Sequence, residues 1–194
     1  MISPDLVEAL TPVVDALEKL RVPYHIGGSV ASSILGMGRS TVDVDIVANL
    51  KLEQVNAFVE LLGQDYYASP EMIRDAVKRR SSFNLIHDRL MYKIDVFVPK
   101  ESLLDRSELK RIRKEALEDT PGARLFNVSS PEDLVLRKLD WFRTGGGVSE
   151  RQWLDTVGVL KVQANALDYD YLWEWACKLG LASLFHRALV DAGL

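Results

Sequence analysis

The sequence predicts an α+β chain, with an α/β half over residues 1–128 and a C-terminal helical bundle over residues 129–194. Three observations carry that expectation. Strand-like and helix-like periods interleave as far as Val128, whereas only helical spacing follows the strong helix start Ser130-Pro131-Glu132-Asp133. Two apolar stretches, 41–48 and 92–98, also carry acids on the face opposite their aliphatic residues.

In order, residues 5–20 place Leu6, Leu10, Val13, Val14 and Leu17 at helical spacing, with Ser3 as the cap and Pro4 in the first turn. Val22-Pro23 closes that helix, and Tyr24-His25-Ile26 reads as a short strand. Gly27 and Gly28 permit a tight turn, and Ser29 is placed to cap a helix through Ala31, Ile34 and Leu35 that Gly36 and Gly38 stop. In 41–48, Val44, Ile46 and Ala48 share one face while Asp43 and Asp45 share the other. Residues 52–62 form an amphipathic helix ended by Gly63, and Ser69-Pro70 opens another. Residues 83–86 and 92–98 read as antiparallel strands joined at His87-Asp88-Arg89, with Asp95 opposite Ile94, Val96 and Val98. Residues 100–118 mix both signals and receive no assignment. Thr120-Pro121-Gly122 marks a turn before 124–128, and the bundle helices are expected at 131–143, 150–163, 169–179 and 182–192.

At 47% hydrophobic, the 194 residues suffice for a proper core. No apolar run approaches the roughly 20 residues of a membrane span, and the first residues lack a secretory layout. The single Cys177 excludes an internal disulfide and, among helical apolar neighbours, reads as a buried thiol. A cytoplasmic protein without a membrane partner is expected. The net charge of −4 gives no bias toward polyanions, and the runs at 78–80 and 110–114 read as solvated faces.

The chemistry concentrates on three acids. Asp43 and Asp45 on one strand face stand roughly 6–7 Å apart, and unpaired they raise each other's pKa. Hard oxygen ligands at that spacing suit Mg²⁺, and Asp95 on a neighbouring strand can help hold a second ion about 4 Å away. Spacing alone proves little: Asp168-Tyr169-Asp170 has the same pattern but opens a helix, where an N-cap accounts for it. Gly27, Gly28 and Ser29 suit a triphosphate at a helix N-terminus, and equally a plain strand-to-helix turn. Neither Gly-x-Gly-x-x-Gly nor a Walker loop is present, which disfavours dinucleotide oxidoreductases and P-loop ATPases.

Gly-Gly-Ser, then Asp-x-Asp, then an apolar-Asp-apolar strand resembles the nucleotidyltransferase superfamily related to DNA polymerase β, over about residues 6–98. Within it the chain is similar to small bacterial AbiEii-type toxins. The resemblance implies a nucleotidyltransferase-like mixed β-sheet flanked by helices, two Mg²⁺ ions, and transfer of a nucleoside monophosphate from an NTP to a hydroxyl acceptor with release of pyrophosphate. It implies that Gly28 and Ser29, in the turn begun by Gly27, hold phosphates. Asp43 and Asp45 would bind both metals, and Asp95 the second metal and the acceptor's proton. Lys138 resembles a lysine aimed at the triphosphate, and reads equally as a solvated helix lysine. Arg151 and Asp155 match that branch loosely. Arg39 and Thr41 can reach phosphate or base, or serve a surface loop. The acceptor stays open between tRNA, protein and a small hydroxylated molecule, and a toxin would bring a cognate antitoxin. The rival reading is a non-catalytic nucleotide-binding or protein-interaction module, against which the three retained acids argue.

His25, His87 and His186 read as a packed strand residue, a turn residue and a helix-face residue, without zinc spacing to Cys177. Trp141, Trp153, Trp173 and Trp175 read as bundle core, with base stacking the alternative for one of them.

Overall fold

A computed structural model describes residues 2–38 and 40–194. The chain runs α1 (Pro4–Lys19), β1 (Tyr24–Ile26), α2 (Gly28–Leu35), β2 (Asp43–Ala48), a 3-10 turn (Leu52–Gln54), α3 (Val55–Leu62), β3 (Tyr66–Tyr67), α4 (Pro70–Arg79), β4 (Ser82–His87) and β5 (Lys93–Phe97). It continues through α5 (Leu103–Glu108), β6 (Arg113–Ala116) and β7 (Leu125–Val128) to the helices α6 (Pro131–Thr144), α7 (Glu150–Gln163), α8 (Tyr169–Lys178) and α9 (Ala182–Ala192).

Local chemistry explains the element ends. The Ser3 hydroxyl accepts the Leu6 N–H at the start of α1, and Ser69, Ser130, Ser149 and Asp168 cap α4, α6, α7 and α8 in the same way. The acid pair at 168 and 170 is thus a helix start, as its context indicates.

The strands form one mixed sheet in the order β3-β4-β5-β2-β1-β7-β6. β2 runs parallel to β5 and β1 parallel to β7, and the other pairs are antiparallel. Between β2 and β5 the register sets Asp43 beside Lys93, Asp45 beside Asp95 and Val47 beside Phe97. Val44, Ile46, Ile94 and Val96 fill the opposite, buried face. A slip of one residue would drive the acids into the core, so burial of that aliphatic face fixes where the acids stand.

After the sheet come the helices, and α6 and α7 pack on each other and on α2. The seam between α2 and α7 is unusually close. A Cβ on Gly36 would come within 2.9 Å of the Val159 nitrogen, one on Gly158 within 3.3 Å of the Met37 nitrogen, and Gln163 donates to the Leu35 carbonyl at 2.9 Å. Buried apolar side chains from α1 through α9 form one continuous cluster. Among the described residues, no helix is long and apolar enough to cross a membrane.

Several expectations are corrected. Ser29 does not cap α2; Gly27 occupies that position and no side chain caps it. Residues 100–118 resolve into a helix with a Ser102–Asp105 capping box and the polar strand β6. His87 ends β4, buried against the Tyr66 ring, and does not lie in the turn. The basic run at 110–114 is a solvated face only in part: Lys110 and Lys114 are exposed, whereas Arg111 pairs with Glu132, Asp133 and Asp168, and Arg113 with Glu132. Cys177 is exposed: Leu172 and Ala176 occupy the buried stripe of α8, and the next residue turns about 100° away from it. Of the tryptophans only Trp153 is buried; Trp175 is half-buried, while Trp141 and Trp173 are exposed.

His25 is 3% exposed, and its Nδ1 has no hydrogen-bond partner among the described residues. Burial first, and the Arg137 charge second, lower its pKa to about 4. The fold holds a neutral imidazole that protonates more readily in the unfolded chain. Stability is therefore lost as pH falls from about 6.5 through 4, by up to about 3 kcal/mol from this group. Melting curves at pH 7 and 4.5 should show a smaller acid-induced drop in His25→Phe than in wild type; equal drops would contradict the assignment.

Candidate active site

The site starts from a glycine. Gly28 has φ +55°, and a Cβ there would lie 1.7 Å from Asp45 Oδ2. Its lack of a side chain lets the Asp45 carboxylate lie against the first turn of α2, where the Ser29 backbone N–H donates to it. The Gly27 N–H donates in turn to the Asp45 carbonyl at 2.9 Å. The turn is thus fitted to β2 at both the backbone and the side chain of one residue. The Ser29 hydroxyl, itself buried, meets Thr41 Oγ1 at 2.6 Å and donates to the Asp43 carbonyl at 3.2 Å. Thr41 Oγ1 donates to the same carbonyl at 3.1 Å. These hydroxyls fasten the approach to β2 onto α2.

The electrostatics are those of excess negative charge. Burial, then the neighbouring Asp95 charge, lifts the Asp45 carboxyl above its usual range, and Asp43 adds to this. The Ser29 N–H and the Lys138 ammonium pull the other way without cancelling the rise. Asp95 is held by Lys93 Nζ at 2.8 Å from Oδ2 and by Asn84, whose amide donates to Oδ1. Lys93 is raised first by that hydrogen bond and further by the charges of Asp95, Asp43 and Asp45.

Lys138 is no solvated lysine. It is 5% exposed, and its ammonium donates to Asp155 Oδ2 at 2.8 Å and Gln152 Oε1 at 3.1 Å. Asp155 is buried on α7 as the partner of Lys138, whereas Arg151 is exposed. Arg39 lies outside the described residues.

Among the described residues, no three His, Cys, Asp or Glu side chains converge as a metal cage. Asp95 is occupied by Lys93 and Asn84 instead. The donor chemistry nonetheless fits a hard divalent ion. Three carboxylates stand on two adjacent parallel strands, and the charge of Asp45 is opposed by burial and by the other two.

Sequence reasoning missed two partners of Asp95. Lys93 was legible as the residue two positions earlier on the same strand face. Asn84 becomes visible only through the β4–β5 register, which sets it directly beside Asp95. On the same face, Trp141 of α6 meets Phe97 edge to face, with ring centroids 5.9 Å apart and planes at 85°. Two clefts of about 330 and 380 Å³ lie past the C-terminal ends of β2 and β5, lined by residues such as Asn49, Pro99 and Lys51, and include none of the acids.

No protein-family model and no curated protein sequence matches the chain. Among solved structures it is similar to an antigenic nucleotidyltransferase-like protein from Paracoccidioides brasiliensis, at 19% identity and a TM-score of 0.61, over 98% of this chain and 92% of that one. It is also similar to the antibiotic-resistance factor ANT(2'')-Ia in its solution structure, at 15% identity and a TM-score of 0.56, over 94% of this chain and 96% of that one. These likenesses establish a nucleotidyltransferase-like fold: a mixed sheet with flanking helices, followed by C-terminal helices.

Proposed function

We propose that the chain is a Mg²⁺-dependent nucleotidyltransferase that moves a nucleoside monophosphate from an NTP to a hydroxyl acceptor and releases pyrophosphate. Its site lies between an α/β domain of residues 1–128 and a helical bundle of residues 129–194. The observation that carries this reading is the Asp45–Asp95 pair, side by side on parallel strands beneath the Gly28 backbone, in a fold of that kind. Asp43, Asp45 and Asp95 would hold the ions. Bound there, Mg²⁺ lowers the pKa of an acceptor hydroxyl and offsets charge during in-line displacement.

The chain's own groups do the rest. The α2 turn of Gly27, Gly28 and Ser29 presents its backbone to the triphosphate, with Arg39 and Lys138 supplying positive charge. Asp95, on exchanging its contact with Lys93, accepts the acceptor's proton. The acceptor oxygen then bonds to the α-phosphorus as the α–β bridging bond breaks, and pyrophosphate leaves with that electron pair.

A small hydroxylated molecule is the acceptor class these surfaces favour. Arg80, Arg111, Arg113 and Arg137 are committed to carboxylates of the chain itself, so these four arginines do not form a free basic face for RNA. The description of ANT(2'')-Ia as an antibiotic-resistance factor points the same way. An AbiEii-type toxin with a cognate antitoxin rests on the motif alone. The Lys93–Asp95 pair gives the rival reading, a non-catalytic nucleotide-binding module, its one specific support.

Purified protein, Mg²⁺ and each α-labelled NTP, supplied in turn with the RNA, protein and small-molecule fractions of a lysate, should label the small-molecule fraction and release pyrophosphate. Asp95→Asn should abolish the label. Binding of Mg-NTP by calorimetry with no labelled product from any fraction would select the non-catalytic module.

A further inference from the structure

Trp141 is 55% exposed, although it sits on a helix whose other side builds the core. Its place is set by one spacing and one contact. It follows Lys138 by three residues, hence lies on nearly the same side of α6, and Lys138 acts on the charge of Asp45. Its ring packs on Phe97, which follows Asp95 by two residues on the acid-bearing face. Along that face three rows succeed one another, roughly 6–7 Å apart: Asp43 with Lys93, Asp45 with Asp95, and Val47 with Phe97. α6 crosses them so that an ammonium stands by the acid row and an indole by the aromatic row.

A core role would have buried the indole, as it does for Trp153. Here Phe97 braces one side and more than half of the side chain stays open. A ligand that binds phosphate beside the acids and projects a flat ring one row along would meet that surface. A nucleotide has this shape, with its sugar as the spacer between phosphate and base.

We propose that Trp141, braced by Phe97, is the stacking platform for the base of the bound nucleoside triphosphate, and that it favours purines for their larger stacking area. The proposal rests on the nucleotidyl-transfer reading and adds the ring-recognition element that reading lacks. Base–aromatic stacking at such a platform contributes about tenfold in affinity.

Calorimetric titration with ATP, CTP and inorganic tripolyphosphate, each with Mg²⁺, tests it on wild type, Trp141→Ala and Trp141→Phe. Melting curves accompany the titrations to verify folding, which an exposed side chain should leave intact. Wild type should bind ATP about tenfold tighter than tripolyphosphate, with CTP between them. Trp141→Ala should lose that gap while its tripolyphosphate affinity stays unchanged, and Trp141→Phe should restore most of it. An ATP-over-tripolyphosphate gap that survives in Trp141→Ala overturns the platform and leaves nucleotidyl transfer standing. If Trp141→Ala instead binds ATP normally and loses affinity for a short single-stranded RNA, the ring belongs to an acceptor and the proposal fails. Folded wild type that binds neither ATP nor tripolyphosphate would overturn the platform and the nucleotide reading together.

Discussion

Asp45→Asn should abolish nucleotidyl transfer and, in the same protein, raise the melting temperature. The two effects have one cause. The Asp45 carboxyl is raised above its normal range by burial and by the Asp95 and Asp43 charges, so the folded state takes up a proton there more readily than the unfolded chain does. From that group, stability falls as pH rises from the ordinary carboxylate value through the raised one, so near neutral pH the carboxyl opposes folding. Asparagine keeps the shape and removes the opposition. Activity goes the other way, because an amide is a poor substitute for an anionic ligand of a hard cation, and losing several kcal/mol of transition-state stabilisation slows transfer by about a thousandfold. Thermal denaturation and a transfer assay on one preparation test both. If activity and stability drop together, the residue is structural and the site lies elsewhere.

Gly28→Ala should be the most damaging single methyl at the glycines whose surroundings the structure describes. The added Cβ would sit 1.7 Å from Asp45 Oδ2, with Asp45 Cγ and Cβ at 2.5 and 2.8 Å, at a φ of +55°. Left-handed backbone costs a non-glycine residue about 1–2 kcal/mol. Overpacking typically adds about 1–3 kcal/mol. Because the three nearest atoms all belong to Asp45, the two positions must be coupled. In an Asp45→Ala background the same substitution should cost much less, leaving mainly the backbone term, and a double-mutant cycle should return a coupling of about 1 kcal/mol or more. Additive effects would mean that the turn and the acid do not touch.

The sequence discloses this coupling in part. Alternation in 41–48 and 92–98 places Asp43, Asp45 and Asp95 on one face, and the glycines announce a turn, so the ingredients of the site are readable from periodicity and backbone freedom. The cap residues Ser3, Ser69, Ser130 and Asp168 set helix starts that agree with the structure to within a residue or two. What escapes is whatever depends on a distant neighbour. β3 is two residues long and exists only because β4 offers it a pairing edge. β6, with the sequence Arg-Lys-Glu-Ala, has no apolar alternation and is defined by its register with β7. The roles of Ser29 and Lys138 are set by Thr41 and Asp155, partners that local spacing cannot nominate. Cys177 and Trp141 share a simpler cause: an apolar residue on an amphipathic helix can fall one step off the buried stripe.

The seam between α2 and α7 bears on how the molecule meets its substrate. Backbone there approaches backbone, with no side-chain layer between Gly36 and Val159 or between Gly158 and Met37 to act as a bearing. Surfaces interlocked at that range cannot slide or hinge without parting altogether, so the bundle is anchored to the very helix whose first turn cradles Asp45. On the proposed reading, the α/β wall and the helical wall of the nucleotide site would therefore keep a fixed separation. Selection among substrates would then be a matter of which molecules fit a gap of preset width, rather than which can persuade a jaw to shut.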